Sequence, residues 1–268
     1  MPDKNGPYKP GTPCWIDLMV PDQQAALDFY CGLFGWQGEI GPPEQGGYSV
    51  CTLKGKPVAG IMKAMNPDGS IPDPMPPTVW TTYLSTDGID STLKSVTAER
   101  GEVMMGPIDV MDLGRMAVAA DPTGAVFGLW EPGTFPGAGI VNEHGALIWN
   151  ELSTGDTEAA GAFYSAVLPM TPAVSEEDGD QPYTEFKVGG HVVAGMMSLD
   201  RMPPGTPPNW LPYFHTDDVD ATVAAAGEAG GKVIAPVFDT PVGPMAVLGD
   251  PQGAPFAVIT VREPDRPA

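Results

Sequence analysis

Apolar and polar residues recur with two different periods along this chain, and the periods predict a regular succession of strands and helices. Residues 15–20 form a short apolar run with aromatic and β-branched members, which is typical of a strand. Over residues 23–34 the apolar positions recur at helical spacing, with Asp22 before them as N-cap and Gly35 after them as the stop. The chain therefore begins with a predicted strand followed by a predicted helix.

The remaining elements follow the same logic, and turn residues separate them. The proline-rich stretches 65–79 and 202–208 predict loops. In the first half, strands are predicted at 48–53, 57–62, 80–86, 102–106, 114–120 and 125–131, with a helix at 88–100. In the second half, strands are predicted at 147–152, 183–188, 191–197, 209–215, 232–236, 245–248 and 254–261, with helices at 156–167 and 219–229. We interpret this order as a pair of βαβββ units in each half, the first unit of each pair having one predicted strand fewer.

The second half repeats the first. Residues 14–30 return in similar form at 148–164, so that Trp15 and Asp17 correspond to Trp149 and Glu151, 134 positions later. We therefore predict a first module at 10–131, a linker rich in Gly and Pro at 132–144, and a second module at 145–262.

Two motifs in this arrangement resemble a known family. Phe-Tyr-x-x-Leu-Phe-Gly-Trp lies at 29–36, and Asp-Pro-x-Gly-Ala lies at 121–125 and again at 250–254. With paired βαβββ units, they resemble the vicinal oxygen chelate superfamily, which includes glyoxalase I, bleomycin-resistance proteins and extradiol dioxygenases. The chain looks most similar to two-module actinobacterial members, among them a mycobacterial culture-filtrate antigen and hydroxylase-like proteins of aromatic polyketide pathways. The resemblance implies an α+β fold of tandem glyoxalase-like modules, each a curled, cup-shaped mixed sheet.

Composition narrows the classes of partner. The 268 residues are 42% hydrophobic, enough for two modest cores, and the formal net charge of −21 argues against nucleic acid and anionic membranes as partners. The three cysteines lie in the first half and do not suggest a disulfide framework. No apolar run reaches the roughly 18 residues of a membrane span, and no signal peptide is apparent. We expect a cytoplasmic monomer or homodimer.

The resemblance also implies where a metal would be bound. In metal-using members, four His, Glu or Gln side chains hold one divalent ion in each site. The corresponding positions in this chain are Trp15, Gly60, Thr81 and Gly128 in the first module, and Trp149, Gly195, Leu211 and Ala257 in the second. None of these is a usual metal ligand. We therefore expect no metal and no other cofactor.

Strand alternation indicates what stands there instead. Within each module it groups aromatic and Met side chains with one carboxylate on one face of the sheet. The groups are Trp15, Asp17, Met62, Tyr83 and Trp130 in the first module, and Trp149, Glu151, Met197, Tyr213 and His215 in the second. Because a buried carboxylate needs a ligand, water or donor, Arg115 is expected to serve the first cup. The alternatives are that these side chains pack as core and that Arg115 is a surface residue.

Three functions remain open on this pattern. The first is a metal-independent protein that binds a small hydrophobic or aromatic, polyketide-like ligand in an aromatic-lined cup, for resistance, sequestration or transport in secondary metabolism. The second is an acid–base enzyme, isomerase or hydroxylase-like, in which Asp17, Glu151 and His215 are the catalytic candidates. The third is a metal-dependent lyase or dioxygenase. Of the other histidines, His144 and His191 are expected at the surface.

Overall fold

The computed structural model describes residues 7–66, 68–175 and 183–262, which contain four α-helices and fifteen strands. The first half contains β1 (Pro13–Val20), α1 (Gln23–Phe34), β2 (Ser49–Leu53), β3 (Lys56–Lys63), β4 (Trp80–Ser85), α2 (Ile89–Ala98), β5 (Glu102–Val110), β6 (Gly114–Ala120) and β7 (Val126–Pro132). The second half contains β8 (Leu147–Thr154), α3 (Thr157–Val167), β9 (Thr171–Ser175), β10 (Tyr183–Val188), β11 (His191–Ser198), β12 (Asn209–His215), α4 (Val219–Glu228), β13 (Lys232–Thr240), β14 (Gly243–Gly249) and β15 (Pro255–Ile259).

The helices begin and end where side-chain and backbone signals predict. The carboxylate of Asp22 accepts a hydrogen bond from the Ala25 amide, and Gly35 ends α1 in the left-handed conformation at φ 70°. Asp156 and Asp218 cap α3 and α4 in the same way. Helix α2 has Gly88 at this position, which offers no side-chain cap, and the amide of Ile89 donates instead to the carboxylate of Glu131 at 2.7 Å.

The strands form two mixed sheets that share one topology. The orders are β2-β3-β1-β4-β7-β6-β5 and β13-β14-β15-β12-β8-β11-β10-β9, so the second sheet repeats the first in reverse with one added strand. The register is also repeated, since Asp17 pairs with Gly60 and Glu151 pairs with Gly195. The predicted α+β fold of tandem modules is confirmed.

Three strands differ most from the sequence prediction, whereas the ends of the others agree with it to within about two residues. Strand β9 was not predicted, because its five residues are largely exposed and lack a hydrophobic alternation; it pairs with β10 at the sheet edge. Strands β5 and β13 extend beyond their predicted ends, near Pro107 and Pro236. Both prolines lie on edge strands where the register shifts, so the missing N–H removes no ladder hydrogen bond there.

The chain forms two compact units, each drawn from both halves of the sequence. One unit comprises Met1–Ile16, Thr81–Gly139 and Trp149–Leu211; the other comprises Asp17–Trp80, Ile140–Ile148 and Pro212–Ala268. The core of the first unit is built around α2 and α3 with buried residues such as Phe127, Phe163 and Trp210. The module bounds 10–131 and 145–262 stay a prediction. No helix of the described residues is long and apolar enough to cross a membrane.

Each unit contains a buried hydrogen-bonded chain of Trp, Tyr and Asp. In one, the indole of Trp80 donates to the Tyr30 hydroxyl at 3.0 Å, which donates to Asp250 at 3.2 Å. In the other, Trp210 donates to Tyr164 at 2.8 Å, and Tyr164 donates to Asp121 at 3.2 Å. Burial raises the pKa of both tyrosines well above its ordinary value. The Phe-Tyr and Asp-Pro-x-Gly motifs therefore join elements distant in sequence within each core.

Candidate functional site

The two faces of each sheet can be distinguished by ring contacts to the helices. Trp80 of β4 contacts Tyr30 of α1 with ring centroids 5.1 Å apart, and Trp210 of β12 contacts Tyr164 of α3 at 5.5 Å. Because successive side chains of a strand alternate, Tyr83 and Tyr213 point to the opposite face. We call this opposite face the helix-free face.

On the helix-free face of the first module, a tyrosine covers the glycine beside Asp17. The Tyr48 hydroxyl donates to Asp17 Oδ2 at 3.4 Å. A Cβ placed on Gly60 would lie only 1.8 Å from the Tyr48 hydroxyl oxygen. Asp17 is 8% exposed, so its carboxylate is buried and has a phenol among its donors.

The second module repeats this arrangement in tighter form. The Tyr183 hydroxyl donates to Glu151 Oε2 at 2.9 Å and accepts from the Trp149 indole at 3.0 Å. A Cβ on Gly195 would lie 1.7 Å from the Tyr183 oxygen. Glu151 is 5% exposed. The structure thus brings Trp149 and Glu151 together through a tyrosine that joins them.

Neither tyrosine was among the predicted site residues. Tyr48 and Tyr183 lie 135 positions apart, close to the spacing of 134 between Trp15 and Trp149. Each stands just before or at the start of the strand that pairs with the glycine-bearing strand, β2 or β10. Their shared place in the duplication was the signal available in the sequence.

The tryptophans of the first module are packed rather than open. Trp15 meets the ring of Phe135 edge-on at 5.0 Å, and Trp130 meets it at 6.0 Å and donates to its backbone oxygen at 2.8 Å. Both tryptophans are at most 7% exposed. Phe135 comes from the segment predicted as linker. The expectation of an aromatic wall open to ligand is therefore corrected for Trp15 and Trp130, since Phe135 covers them.

The other predicted lining residues fall in two groups. Tyr83 is buried with its ring against Gly128, where a Cβ would lie 2.3 Å from the ring, and Tyr213 is buried and paired in register with Ala257. Met62 and Met197 are half-buried, on the same strands as Gly60 and Gly195. The tyrosines are thus packed as core, as the alternative interpretation had it, and the methionines retain some accessible surface.

Arg115 does not serve as a donor on the helix-free face. It pairs in register with Glu131, whereas its neighbour Met116 pairs with Trp130, so Arg115 points to the helix-bearing face. Its guanidinium binds Asp90 at 2.8 Å and Asp109 at 3.0 Å. Asp90 and Asp109 raise the pKa of Arg115 further. The prediction for Arg115 is therefore corrected: it is a β6 residue that forms an ion pair with Asp90 in the first turn of α2.

His215 lies at the end of β12 and is half-buried. Its amide donates to Ala146 O and its carbonyl accepts from the Gly145 amide. Its Nδ1 is buried, and no hydrogen-bond partner for it is present among the described residues. Burial lowers the pKa of His215, while Asp217 opposes this shift and His144 adds to it. The neutral form of the ring is therefore favoured, and a neutral imidazole is better suited to accept a proton than to donate one.

An open, solvent-accessible cavity of about 540 Å³ lies beside Tyr48. It lies between the outer strand β2 and the segment that precedes it, on the side of the sheet where Tyr48 reaches Asp17. The lining residues are Gln37, Gly38, Glu39, Gly41, Pro42, Gln45, Tyr48, Val50 and Thr52. This volume is within the range of about 300–1,000 Å³ that is usual for small-molecule sites. The cavity is more polar than predicted, with Tyr48 as its aromatic residue.

The residues at the positions implied for a metal do not suit one. Tyrosine hydroxyls fill the space above Gly60 and Gly195, and the ring of Tyr83 fills the space above Gly128. Glycine, leucine and alanine offer no side-chain donor. Within residues 7–66, 68–175 and 183–262, no three His, Cys, Asp or Glu side chains are grouped so as to hold a metal ion. The donor set of these faces therefore does not fit a divalent ion.

The chain is similar to known proteins in sequence and in fold. The family model described as "Glyoxalase/Bleomycin resistance protein/Dioxygenase superfamily" matches residues 14–129 and 146–258. The chain is 46% identical over 259 residues to CFP32 of Mycobacterium tuberculosis, covering 96% of this chain and 97% of that protein. It is 40% identical over 266 residues to the anthracycline biosynthesis protein DnrV of Streptomyces peucetius, covering 96% and 95%. The Mn(II)-bound glyoxalase from Novosphingobium aromaticivorans shares the fold, with TM-score 0.61, 13% identity and coverage of 93% and 82%.

Proposed function

Because the chain belongs to the Glyoxalase/Bleomycin resistance protein/Dioxygenase superfamily, we propose that it binds a planar, oxygenated aromatic small molecule without a metal. A sequestering, carrier or resistance role in secondary metabolism is consistent with the 40% identity to an anthracycline biosynthesis protein.

The observation that carries this proposal is the cavity beside Tyr48. Its volume of about 540 Å³ accommodates a multi-ring small molecule. The Tyr48 ring provides a surface for stacking, worth about 0.5–1.5 kcal/mol per aromatic pair beyond area burial. Amide and hydroxyl groups of Gln37, Gln45 and Thr52 are suited to oxygen substituents on a ring. We therefore propose that the ligand binds at the edge of β2, and not at Trp15 and Trp130 as the sequence had suggested.

Metal-free binding is supported by what occupies the ligand positions. Where metal-using members need His, Glu or Gln, this chain has Gly60 and Gly195 beneath tyrosine hydroxyls. A metal could reach these positions only if the tyrosines moved and their bonds to Asp17 and Glu151 were broken. Ligand recognition by direct hydrogen bonds and stacking needs no such change.

Filling the cavity is expected to weaken ligand binding. Val50 lines the cavity and is 44% exposed, so Val50→Trp introduces a bulky side chain without disturbing the core. We expect the dissociation constant for a hydroxylated anthraquinone probe to rise by at least about tenfold, or about 1.4 kcal/mol. Isothermal titration calorimetry measures this directly.

The matched control for this variant is Val174→Trp. Val174 is 66% exposed on the edge strand β9 and does not line the cavity, so its replacement is expected to leave binding unchanged. Equal affinity of wild type and Val50→Trp would show that the ligand binds elsewhere. Absence of binding to wild type across hydroxylated anthraquinones, anthrones and naphthoquinones would refute the proposed function.

A second candidate function, acid–base catalysis, is favoured by the tyrosine–carboxylate pair of the second module. Tyr183 lies 2.9 Å from Glu151 Oε2, a distance suited to proton transfer through the phenol. Trp149 and Tyr183 are half-buried, so part of the group is accessible to solvent. A substrate with an acidic C–H bond next to an aromatic ring is the class that such a pair would serve.

This candidate predicts metal-independent proton exchange. With anthrone as probe in D₂O, wild type is expected to accelerate deuterium incorporation at the acidic methylene carbon, measured by proton NMR in the presence of EDTA. Glu151→Gln is expected to lower the rate by about 10²-fold or more, because it removes the base. The control Glu158→Gln changes an exposed residue in the first turn of α3. If the rate with wild type equals the rate in buffer alone, this activity is excluded for substrates of the anthrone type.

A further inference from the structure

The charge of the first-module cavity indicates one chemical group of the ligand. Glu39 lines the cavity, and among the described residues that line it there is no Lys or Arg. The other polar groups are amides and hydroxyls, and the whole chain has a formal net charge of −21. We infer that this cavity receives a protonated amine carried by the aromatic ligand. The inference rests on the proposed function and names the substituent that the cavity selects.

An aromatic ring beside a carboxylate is a combination that favours an alkylammonium group. The face of a tyrosine attracts a cation placed within about 6 Å of the ring centre. Tyr48 provides this ring, and its hydroxyl is bonded to the buried carboxylate of Asp17. Glu39 adds a second carboxylate at the cavity wall. An anionic substituent would meet repulsion from the same groups.

The segment that holds Glu39 is anchored at both ends. Gln37 and Thr52 exchange two backbone hydrogen bonds of 2.8 Å. At the far end, the buried amide of Gln23 donates to Gly47 O at 2.7 Å and to Ser49 Oγ at 2.9 Å. Gly41 lies so close to the backbone of Tyr48 that a Cβ would come within 2.1 Å of the carbonyl oxygen. A preformed wall of this kind reduces the ordering cost of binding.

The second module differs at the corresponding positions. Glu185 and Lys187 stand where the first module has Val50 and Thr52, and Glu185 pairs in register with Gly195 as Val50 does with Gly60. Lys187 and Glu185 form an ion pair at 3.1 Å. A cation of the chain itself therefore already neutralises this carboxylate. We accordingly expect one amine-binding cavity per chain, in the first module.

Two matched probes and two matched variants test the inference. The probes are an anthraquinone with a protonated aminoalkyl side chain and the same ring system with a hydroxyalkyl side chain. Wild type is expected to bind the amine more tightly, and added NaCl is expected to weaken that preference. Glu39→Gln is expected to weaken amine binding about two- to fivefold and to change hydroxyalkyl binding by a smaller factor. Glu44→Gln, on the same segment but not in the cavity lining, is expected to change neither.

Each outcome of the calorimetric titrations decides between the two proposals. Equal affinity of wild type for both probes, or an equal loss in Glu39→Gln and Glu44→Gln, overturns the amine inference and leaves the proposed binding function standing. Failure of both probes to bind overturns both. A stoichiometry of two amines per chain would contradict the assignment to the first module alone.

Discussion

Replacement of Asp250 by alanine is expected to lower the free energy of unfolding by about 3–5 kcal/mol. The carboxylate is 1% exposed and accepts three hydrogen bonds: from the amides of Gln252 and Ala254 and from the hydroxyl of Tyr30. Alanine leaves the Tyr30 hydroxyl and the Ala254 amide buried without this acceptor, at about 1–3 kcal/mol each. Urea denaturation followed by Trp fluorescence measures the change.

Controls separate this loss from a general effect of removing charge. Asp200→Ala changes an exposed aspartate and is expected to stay within about 0.5 kcal/mol of wild type. Tyr30→Phe removes only the hydrogen bond from the Tyr30 hydroxyl to Asp250 and the acceptor of the Trp80 indole. It is therefore expected to lower the free energy of unfolding by less than Asp250→Ala does. A midpoint for Asp250→Ala equal to that of Asp200→Ala would show that the turn does not depend on its carboxylate.

Burial of Asp250 also predicts a pH dependence with a definite sign. Burial raises the pKa of this carboxyl above its ordinary value of 3.8. A carboxyl with a raised pKa binds its proton more tightly in the folded chain than in the unfolded chain. Its contribution to the free energy of unfolding is therefore complete below pH 3.8 and declines as the pH rises through the folded-state pKa. Asp250→Asn removes this titrating group. The stability of the variant should therefore fall less steeply than that of wild type as the pH rises over the same range.

Substitution of Gly195 by alanine is expected to destabilise the second module by about 2–4 kcal/mol. The added Cβ would lie 1.7 Å from the Tyr183 oxygen and 2.9 Å from the Trp149 indole nitrogen, so Tyr183 must leave its place. Buried Glu151 then loses the donor at 2.9 Å, and Trp149 loses its acceptor at 3.0 Å. Thermal and urea unfolding measure the effect.

Gly161→Ala is the matched control, because it adds the same methyl group to helix α3. Its Cβ would meet the nearest atoms at 3.5 Å or more, so the variant is expected to be more stable by about 0.5–1 kcal/mol. The double variant Gly195→Ala with Tyr183→Ala is expected to cost less than the two single changes together, since the clash and the lost bonds share one cause. Strict additivity would disprove the close contact between Gly195 and Tyr183.

The sequence predictions that were successful concern elements whose bounds depend on nearby residues. The bounds of α1 agree with the prediction at both ends, because Asp22 and Gly35 act within one turn of the helix. Strands β6 and β12 likewise match, since alternation on a half-buried strand is a local property. Strand β9 was missed because pairing with β10, and not its own composition, makes it a strand.

The candidate site was predicted only in part. The sequence placed Asp17 and Glu151 each on one sheet face with aromatic and Met side chains, and it showed that usual metal ligands are absent from the implied positions. The register that sets these carboxylates beside Gly60 and Gly195 came from the structure. It did not reveal that Tyr48 and Tyr183 cover those glycines, because the contact joins residues more than 30 positions apart. The partners of Arg115 were also missed, since its direction depends on the register between β6 and β7.

By itself, the sequence determined the duplication, the order of strands and helices, the caps and the type of side chain on each strand face, because these depend on local periodicity and on residues within a few positions. Only the tertiary structure decided which side chains meet. It packed Phe135 against Trp15 and Trp130, joined Tyr30 to Asp250 across 220 positions, and left a cavity beside Tyr48. Such contacts depend on strand register and on packing between distant segments, and no local pattern encodes them.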